Sequence, residues 1–359
     1  MKISQSLADA FHPLDRKRFE TIKRDEFKLP HTLIGLKYLR DKARNERDLR
    51  ELYRDRALYE LLQNADDAGA KKAAYILSRD GLAFVHDGQW FTVDNFRSLA
   101  DGWSDKDPSQ CIGHKGLGFR SVLDITPAPY LIKVDREHFF AVKFTWALNN
   151  GHIQETLGKD PTLREHYKRW TKHGHSVCPV MAIPGLAKKH NLEDGTTILD
   201  RLIRGRYGGE FTTMFWFPAR DPDTDHKVLE ELGPTPITAD SHGRQVLLSF
   251  LREEVSVLLP FLASVEEVAI YEEDCRIGWA HIPEAVEERR EREITVHWEA
   301  DGETHSESFF QMHFTFDIPL QILNQADTPK AIKALKERGT RIVLSVRLED
   351  NQPIQDDGS

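Results

Sequence analysis

Cysteine is scarce in this 359-residue chain. Cys111, Cys178 and Cys275 are too widely spaced for a disulfide framework or a zinc-binding pattern. That excludes a small disulfide-stapled scaffold and favours a reduced, cytoplasmic setting. Long apolar runs are missing too. No stretch approaches the roughly 20 residues of a membrane-spanning helix. The opening MKISQSLADAFHPLDRKRF lacks the apolar centre of a secretion signal. No membrane partner is expected. Positive charge is in the minority, 49 Lys and Arg against 58 Asp and Glu, which leaves a net charge of −9. Nucleic acid is therefore possible as a partner but not indicated. No internal repeat is evident. Apolar residues, by contrast, make up 40% of the chain, enough for a proper core.

The chain divides into four parts on composition. Residues 1–30 are a polar N-terminal arm or short helix, closing at Pro30. Residues 31–220 form a first domain. Residues 221–243, rich in Asp, Pro, Thr and Gly, read as a linker. Residues 244–359 form a smaller α/β domain that stops in polar residues without a terminal helix, as a truncated domain would.

Within the first domain, 31–68 reads as helical with a break near Asn45. Arg40, Arg44, Arg47, Arg50, Arg54 and Arg56 alternate there with acidic residues, the pattern of a solvated, ion-paired helix face. Strands at 71–77 and 82–85 flank Arg79-Asp80-Gly81 as a hairpin. Residues 95–100 predict a short helix, 130–134 and 139–144 predict strands, and 151–176 predicts a polar, His-rich loop. Two further strands are expected at 195–200 and 211–217. Beyond the linker, a helix over 246–262 is interrupted at Pro260 and a strand covers 268–271. A charged turn is expected at 285–293. A hairpin turns at Ala300-Asp301-Gly302, a helix covers 330–338 and a strand covers 341–348.

One stretch carries more chemistry than the rest: Glu60-Leu61-Leu62-Gln63-Asn64-Ala65-Asp66-Asp67-Ala68. Glu60 and Asn64, like Gln63 and Asp67, are four residues apart and share a helix face. The leucines around them predict that the face is buried, and buried polar groups need partners. Downstream lie Asp87-Gly88 at a strand end and Gly113-His114-Lys115-Gly116-Leu117-Gly118-Phe119-Arg120, then Gly195-Thr196. Each is weak alone. In this order and spacing they resemble the GHKL ATPase superfamily of gyrase, the ninety-kilodalton heat-shock chaperone, histidine kinases and MutL. The wording around Asn64 looks most like the sacsin-type branch. The resemblance is strongest over 49–124, fair at 195–199 and weak beyond.

The resemblance implies an α+β fold: a two-layer, Bergerat-type α/β sandwich, its mixed sheet covered by helices on one face, with ATP between the layers. It implies Asn64 as the magnesium ligand and Glu60 as the general base, with Asp67 on the same helix. Asp87 would accept a hydrogen bond from the adenine amino group, and Gly88 would leave room for the base. Gly113, Lys115, Gly116, Leu117, Gly118 and Phe119 would cradle the phosphates, with a helix starting near Phe119. Thr196 would join the adenine network, 95–110 would form a lid, and Arg341 or Arg347 could reach the terminal phosphate. Gln89 and Trp90 depart from the second glycine that the family often has after the aspartate. The activity implied is slow Mg-ATP hydrolysis that drives lid closure and self-association as a homodimer, or work on another protein partner. A kinase, a non-hydrolysing ATP switch in a larger assembly such as an antiviral defence complex, and a MutL-like DNA-processing ATPase are the alternatives.

Overall fold

The computed structural model describes residues 12–25, 33–101, 118–145, 155, 157–172, 179–220, 232–283, 291–316, 340–349 and 352–353. The N-terminal part contains a helix, α1 (Arg16–Asp25), which buries Phe19 and Ile22. Next comes α2 (Leu33–Leu52), which passes through Asn45 without the expected break. Leu39, Ala43 and Glu46 form a buried stripe at helical spacing, while Asn45 faces solvent, so one poor helix former does not stop it. The chain turns instead at Asp55, whose φ is 62°, before α3 (Ala57–Asp67). Gly69, at φ 70°, ends α3.

Strands β1 (Lys72–Ser78) and β2 (Gly81–His86) make the expected hairpin. Helix α4 (Val93–Asp101) follows. Residues Gly118–Asp124 form a short 3-10 stretch rather than the expected α-helix. Strands β3 (Tyr130–Lys133) and β4 (Phe140–Lys143) come next. Where a polar loop was expected, α5 (Pro161–Lys172) forms, burying Leu163 on an otherwise polar cylinder. The short β5 (Gly185–Leu186) leads to α6 (Asp194–Ile203) and β6 (Thr213–Pro218). Helix α7 (Ser241–Phe250) is capped by Asp240, whose Oδ1 accepts from Gly243 N at 2.8 Å. Further helical turns carry on to Phe261, tightening to 3-10 at Pro260. The chain closes with β7 (Glu267–Glu272), β8 (Cys275–His281), β9 (Glu291–Ala300), β10 (Glu303–Phe316), β11 (Thr340–Glu349) and β12 (Gln352–Pro353).

Among the described residues, twelve strands belong to one mixed sheet, in the order β12-β11-β10-β9-β8-β7-β1-β2-β6-β3-β4-β5. Every pairing is antiparallel except β1 with β7, where Lys72 lies opposite Glu267 and Leu77 opposite Glu272. The strands after residue 243 therefore extend the same sheet. Alternation along β1, β2 and β6 separates two cores. Tyr75, Leu77, Leu82, Phe84, Phe215 and Phe217 pack under α1, α3, α4 and α7. Ala74, Ile76, Ala83, Val85, Met214 and Trp216 pack against Ile198, Leu199 and Leu202 of α6. The expectation of helices on one face is thus corrected by α6, which covers the other. Among the described residues, no helix is long and apolar enough to cross a membrane. The expected helix at 330–338 and the charged turn over 285–290 lie outside the described residues.

Candidate functional site

Helix α3 is the element on which the site is built. It buries Ala57, Leu58, Leu61, Leu62 and Ala65, and with them Glu60 and Asp66. The Glu60 carboxyl is packed so closely on Gly118 that a methyl group at 118 would overlap its Oε2 and Cδ and stand 2.9 Å from Oε1. Burial pushes the Glu60 pKa up, and Arg56, 3.4 Å away on the preceding turn, pulls it partly back. The glycine that the resemblance assigned to phosphate contact is therefore also what admits this carboxylate.

One turn on, Asn64 opens onto a pocket with Asp67 and Ala68. His86, at the end of β2, and Phe215, within β6, line it too. The loop residues Gln89, Trp90 and Phe91 line another part, and Asn95, Ser98 and Leu99 of α4 complete it. The cavity volume is about 130 Å3, and its mouth is open to solvent. Phe215 is packed from behind by Phe119, with ring centroids 5.1 Å apart. Trp90 Nε1 donates to Leu14 O at 2.8 Å, and Leu14 N donates to Phe91 O at the same distance, so the N-terminal segment fastens the loop. Thr92 and Asn95 cap α4 reciprocally: Thr92 N donates to Asn95 Oδ1 at 3.1 Å, and Asn95 N donates to Thr92 Oγ1 at 3.2 Å.

The remaining expected site residues are more dispersed. Asp87 Oδ1 accepts from Lys71 N at 2.8 Å and Lys72 N at 2.9 Å, holding the start of β1 to the end of β2. Gly88 is buried for a backbone reason: a Cβ there would stand 2.8 Å from Ala68 O and 2.9 Å from Ala70 N. Glu60, Asp87, Gly88, Gly118 and Phe119 border this region without lining the pocket. Gly113, Lys115, Gly116 and Leu117, with the lid segment after Asp101, lie outside the described residues. Arg347 pairs with Glu307 at 3.0 Å, in the part of the sheet beyond β9, and of the Arg341 side chain nothing is described.

The expected strand at 195–200 is corrected: Gly195 and Thr196 belong to α6. Gly195 lies flat on the Trp216 indole, and Thr196 Oγ1 donates to Lys189 O at 2.8 Å on an exposed surface away from the pocket. A second threonine pair, Thr212-Thr213, lies at the start of β6. Thr213 opens β6 directly opposite His86, and Thr212 donates to the carbonyl of Gly88. Its signal in the sequence was the following Met-Phe-Trp-Phe, a true strand run.

Three buried polar groups escaped sequence reasoning. Asp66, beside the expected Asp67, accepts from Ala263 N, Ser264 N and Val265 N at 2.6–3.0 Å and ties α3 to the approach to β7. Glu46 accepts from Val180 N at 2.7 Å and Met181 N at 2.8 Å; burial raises its pKa against the pull of Arg120. His86 is fully buried, which lowers its pKa to about 4. Adjacent Asp-Asp and a lone buried His offer no pattern from which these roles could be read.

No family model matches the chain. It is 25% identical to human sacsin over 236 residues, which cover 60% of this chain and 4% of sacsin. It is 32% identical to Protein NO VEIN of Arabidopsis thaliana over 150 residues, 37% of this chain and 5% of that protein. The chain thus spans only a small fraction of either relative. Among solved structures, the N-terminal domain of a DNA repair protein aligns over 60% of this chain and 47% of its own, at 12% identity and a TM-score of 0.28.

Proposed function

We propose that this chain is an ATP-binding, slowly ATP-hydrolysing module of the sacsin-like type within the GHKL superfamily, which uses Mg-ATP to drive conformational change or self-association in a larger protein. The observation that carries the reading is the state of α3. A buried Glu60 lies against Gly118 one turn before Asn64, and Asn64 opens onto an aromatic-walled pocket. The similarity to sacsin and Protein NO VEIN adds support.

The side chains suit such a ligand. Trp90, Phe91 and Phe215 offer flat apolar walls for a base, and Asn64, Asp67, Gln89, Asn95 and Ser98 supply polar groups. Magnesium keeps several waters and takes few protein oxygens; Asn64 Oδ1 is the chain's ligand in this reading. When bound, the metal supplies charge neutralisation at the phosphates. Glu60 takes a proton from water as its oxygen attacks the terminal phosphorus, and ADP and inorganic phosphate are the products. Its raised pKa makes the carboxylate a stronger base than an exposed one. Arg56 steadies its charge and orientation.

The test is Glu60→Ala, with turnover and Mg-ATP affinity measured on one preparation. Hydrolysis should fall about a hundredfold or more while affinity changes little. Retained turnover in a folded variant removes Glu60 as the base. Binding without turnover in the unaltered protein leaves an ATP switch, and absence of binding removes the reading.

A further inference from the structure

Arg56, at the start of α3, has two aromatic neighbours. Its guanidinium lies 5.1 Å from the centroid of the Tyr59 ring and 5.5 Å from that of Tyr53, both within cation–π range. The same guanidinium reaches Glu60 Oε1 at 3.4 Å, one turn on. Tyr53 precedes the sharp turn at Asp55 and Tyr59 follows it, so the two rings come from either side of that turn. Gln63 Nε2 donates to Tyr59 Oη at 2.8 Å and fixes that ring in turn. Core packing does not account for the tyrosines. Both are half-buried and lie outside the core that Leu58, Leu61 and Leu62 build.

Arg56 is half exposed, and an exposed pair of this spacing is weak when nothing else holds the long side chain. A planar guanidinium can stack on an aromatic face while its N–H edge stays free for a carboxylate. We propose that Tyr59, together with Tyr53, is a positioning residue for Glu60: the clamped Arg56 guanidinium is held against the carboxylate and sets its orientation. The inference rests on the reading of Glu60 as the base and adds what keeps its counter-ion in place. Other charged and titratable groups around α3 are engaged elsewhere. Arg120 donates to Ala100 O, and Asp124 pairs with Arg50. Tyr75 Oη donates to Leu58 O, and Glu254 bears on Tyr59. Arg56 is the charge that lowers the Glu60 pKa against the effect of burial. Releasing it leaves burial unopposed, so the pKa rises further and less of the base is ionised at acidic pH.

The experiment uses the full chain with Tyr59→Leu, Tyr59→Phe, Arg56→Met and the Tyr59→Leu, Arg56→Met double variant. It follows kcat and KM for Mg-ATP across pH, and titrates the Glu60 carboxyl by carbon-13 NMR. Leucine keeps apolar bulk and suits a helix but has no aromatic face. Tyr59→Leu should lower kcat about three- to tenfold at the acid end and less at higher pH, with KM within about twofold. Its Glu60 titration should move to higher pH. Tyr59→Phe keeps the ring and should stay within about twofold of the parent throughout. Arg56→Met should shift the profile at least as far as Tyr59→Leu, and the double variant no further than Arg56→Met. An equal effect of Tyr59→Leu with and without Arg56 makes the tyrosine structural and overturns the inference. An unchanged Glu60 titration in Tyr59→Leu also overturns it, as does a loss in Tyr59→Phe equal to that in Tyr59→Leu. Absence of turnover in the parent removes the hydrolytic reading alone, and the Glu60 titration in the same proteins then decides whether the clamp exists.

Discussion

Gly118→Ala is the sharpest probe of the contact at the centre of the site. The added methyl overlaps Glu60 Oε2 and Cδ, so the carboxyl must retreat by roughly 1–2 Å to regain ordinary contact. It cannot move inward, because Leu61 and Leu62 beside it are fully buried. It must turn toward the half-exposed Arg56, or α3 must shift. Such overpacking costs about 1–3 kcal/mol. Gly118 does not have a left-handed φ, so alanine is acceptable to the backbone. Once Glu60 is itself alanine, the overlap is gone. The same substitution then stabilises by about 0.4–1 kcal/mol through the unfolded chain. The sign of the effect therefore reverses between backgrounds, a coupling of about 1–3 kcal/mol. Urea unfolding of the four proteins in the double-mutant cycle measures it. An equal cost of Gly118→Ala with and without the Glu60 carboxyl would refute the contact.

Two further outcomes follow from buried groups. Asp66→Ala strands three backbone amides at 263–265 and should cost about 2–5 kcal/mol by chemical denaturation, with faster amide exchange at those positions; a loss within 0.5 kcal/mol, roughly that of an ordinary surface change, would sink the anchor. His86 binds a proton in the unfolded chain near its usual pKa of 6.5 but only at about 4 when folded. Stability should therefore be fully present above pH 6.5 and fall as pH drops toward 4, by roughly 3 kcal/mol from this group. Glu46 and Glu60, whose pKa values burial raises, act in the opposite sense, so their protonation favours the folded chain. The difference between the parent and His86→Phe across that window isolates the histidine, and superimposable pH profiles would contradict its buried neutral state.

The hairpins were the most legible part of the fold, because their turns are local. Gly81 and Asp301-Gly302 carry the left-handed or extended-positive angles that such turns need. Helix α3 was legible through its leucines, and with it the burial of Glu60. What local pattern could not supply was partnership across the chain. Gly195-Thr196-Thr197 and Thr212-Thr213 look alike as strings, yet the first lies in α6, with Gly195 against the Trp216 indole of β6. Glu46 and Asp66 are surface-like residue types, buried here only because distant backbone amides need acceptors. Helix α5 hides because its single buried leucine, Leu163, gives too faint a stripe to read. Asn64 and Asp67, which the resemblance named, line one pocket, while Asp87 Oδ1 accepts from the amides of Lys71 and Lys72 and Gly88 packs on the backbone at Ala68 and Ala70.

The parallel seam between β1 and β7 has a consequence for how the chain is made. Lys71 and Glu266, which pair where the two strands begin, are 195 residues apart. A ribosome adding about 5–20 residues per second needs roughly 10–40 s to travel from one to the other. During that interval β1 is a nascent strand with one neighbour, β2, and a bare edge of Ala-Ala-Tyr-Ile-Leu that the finished protein buries. Such an edge invites pairing with other chains. The loop must also close before the parallel contacts reward it. Among the described strands β1 is therefore the first to be synthesised, yet its second edge is sealed only after β2 to β6 have been made, and the helix bearing Glu60 and Asn64 acquires its Asp66 anchor only when that seam closes.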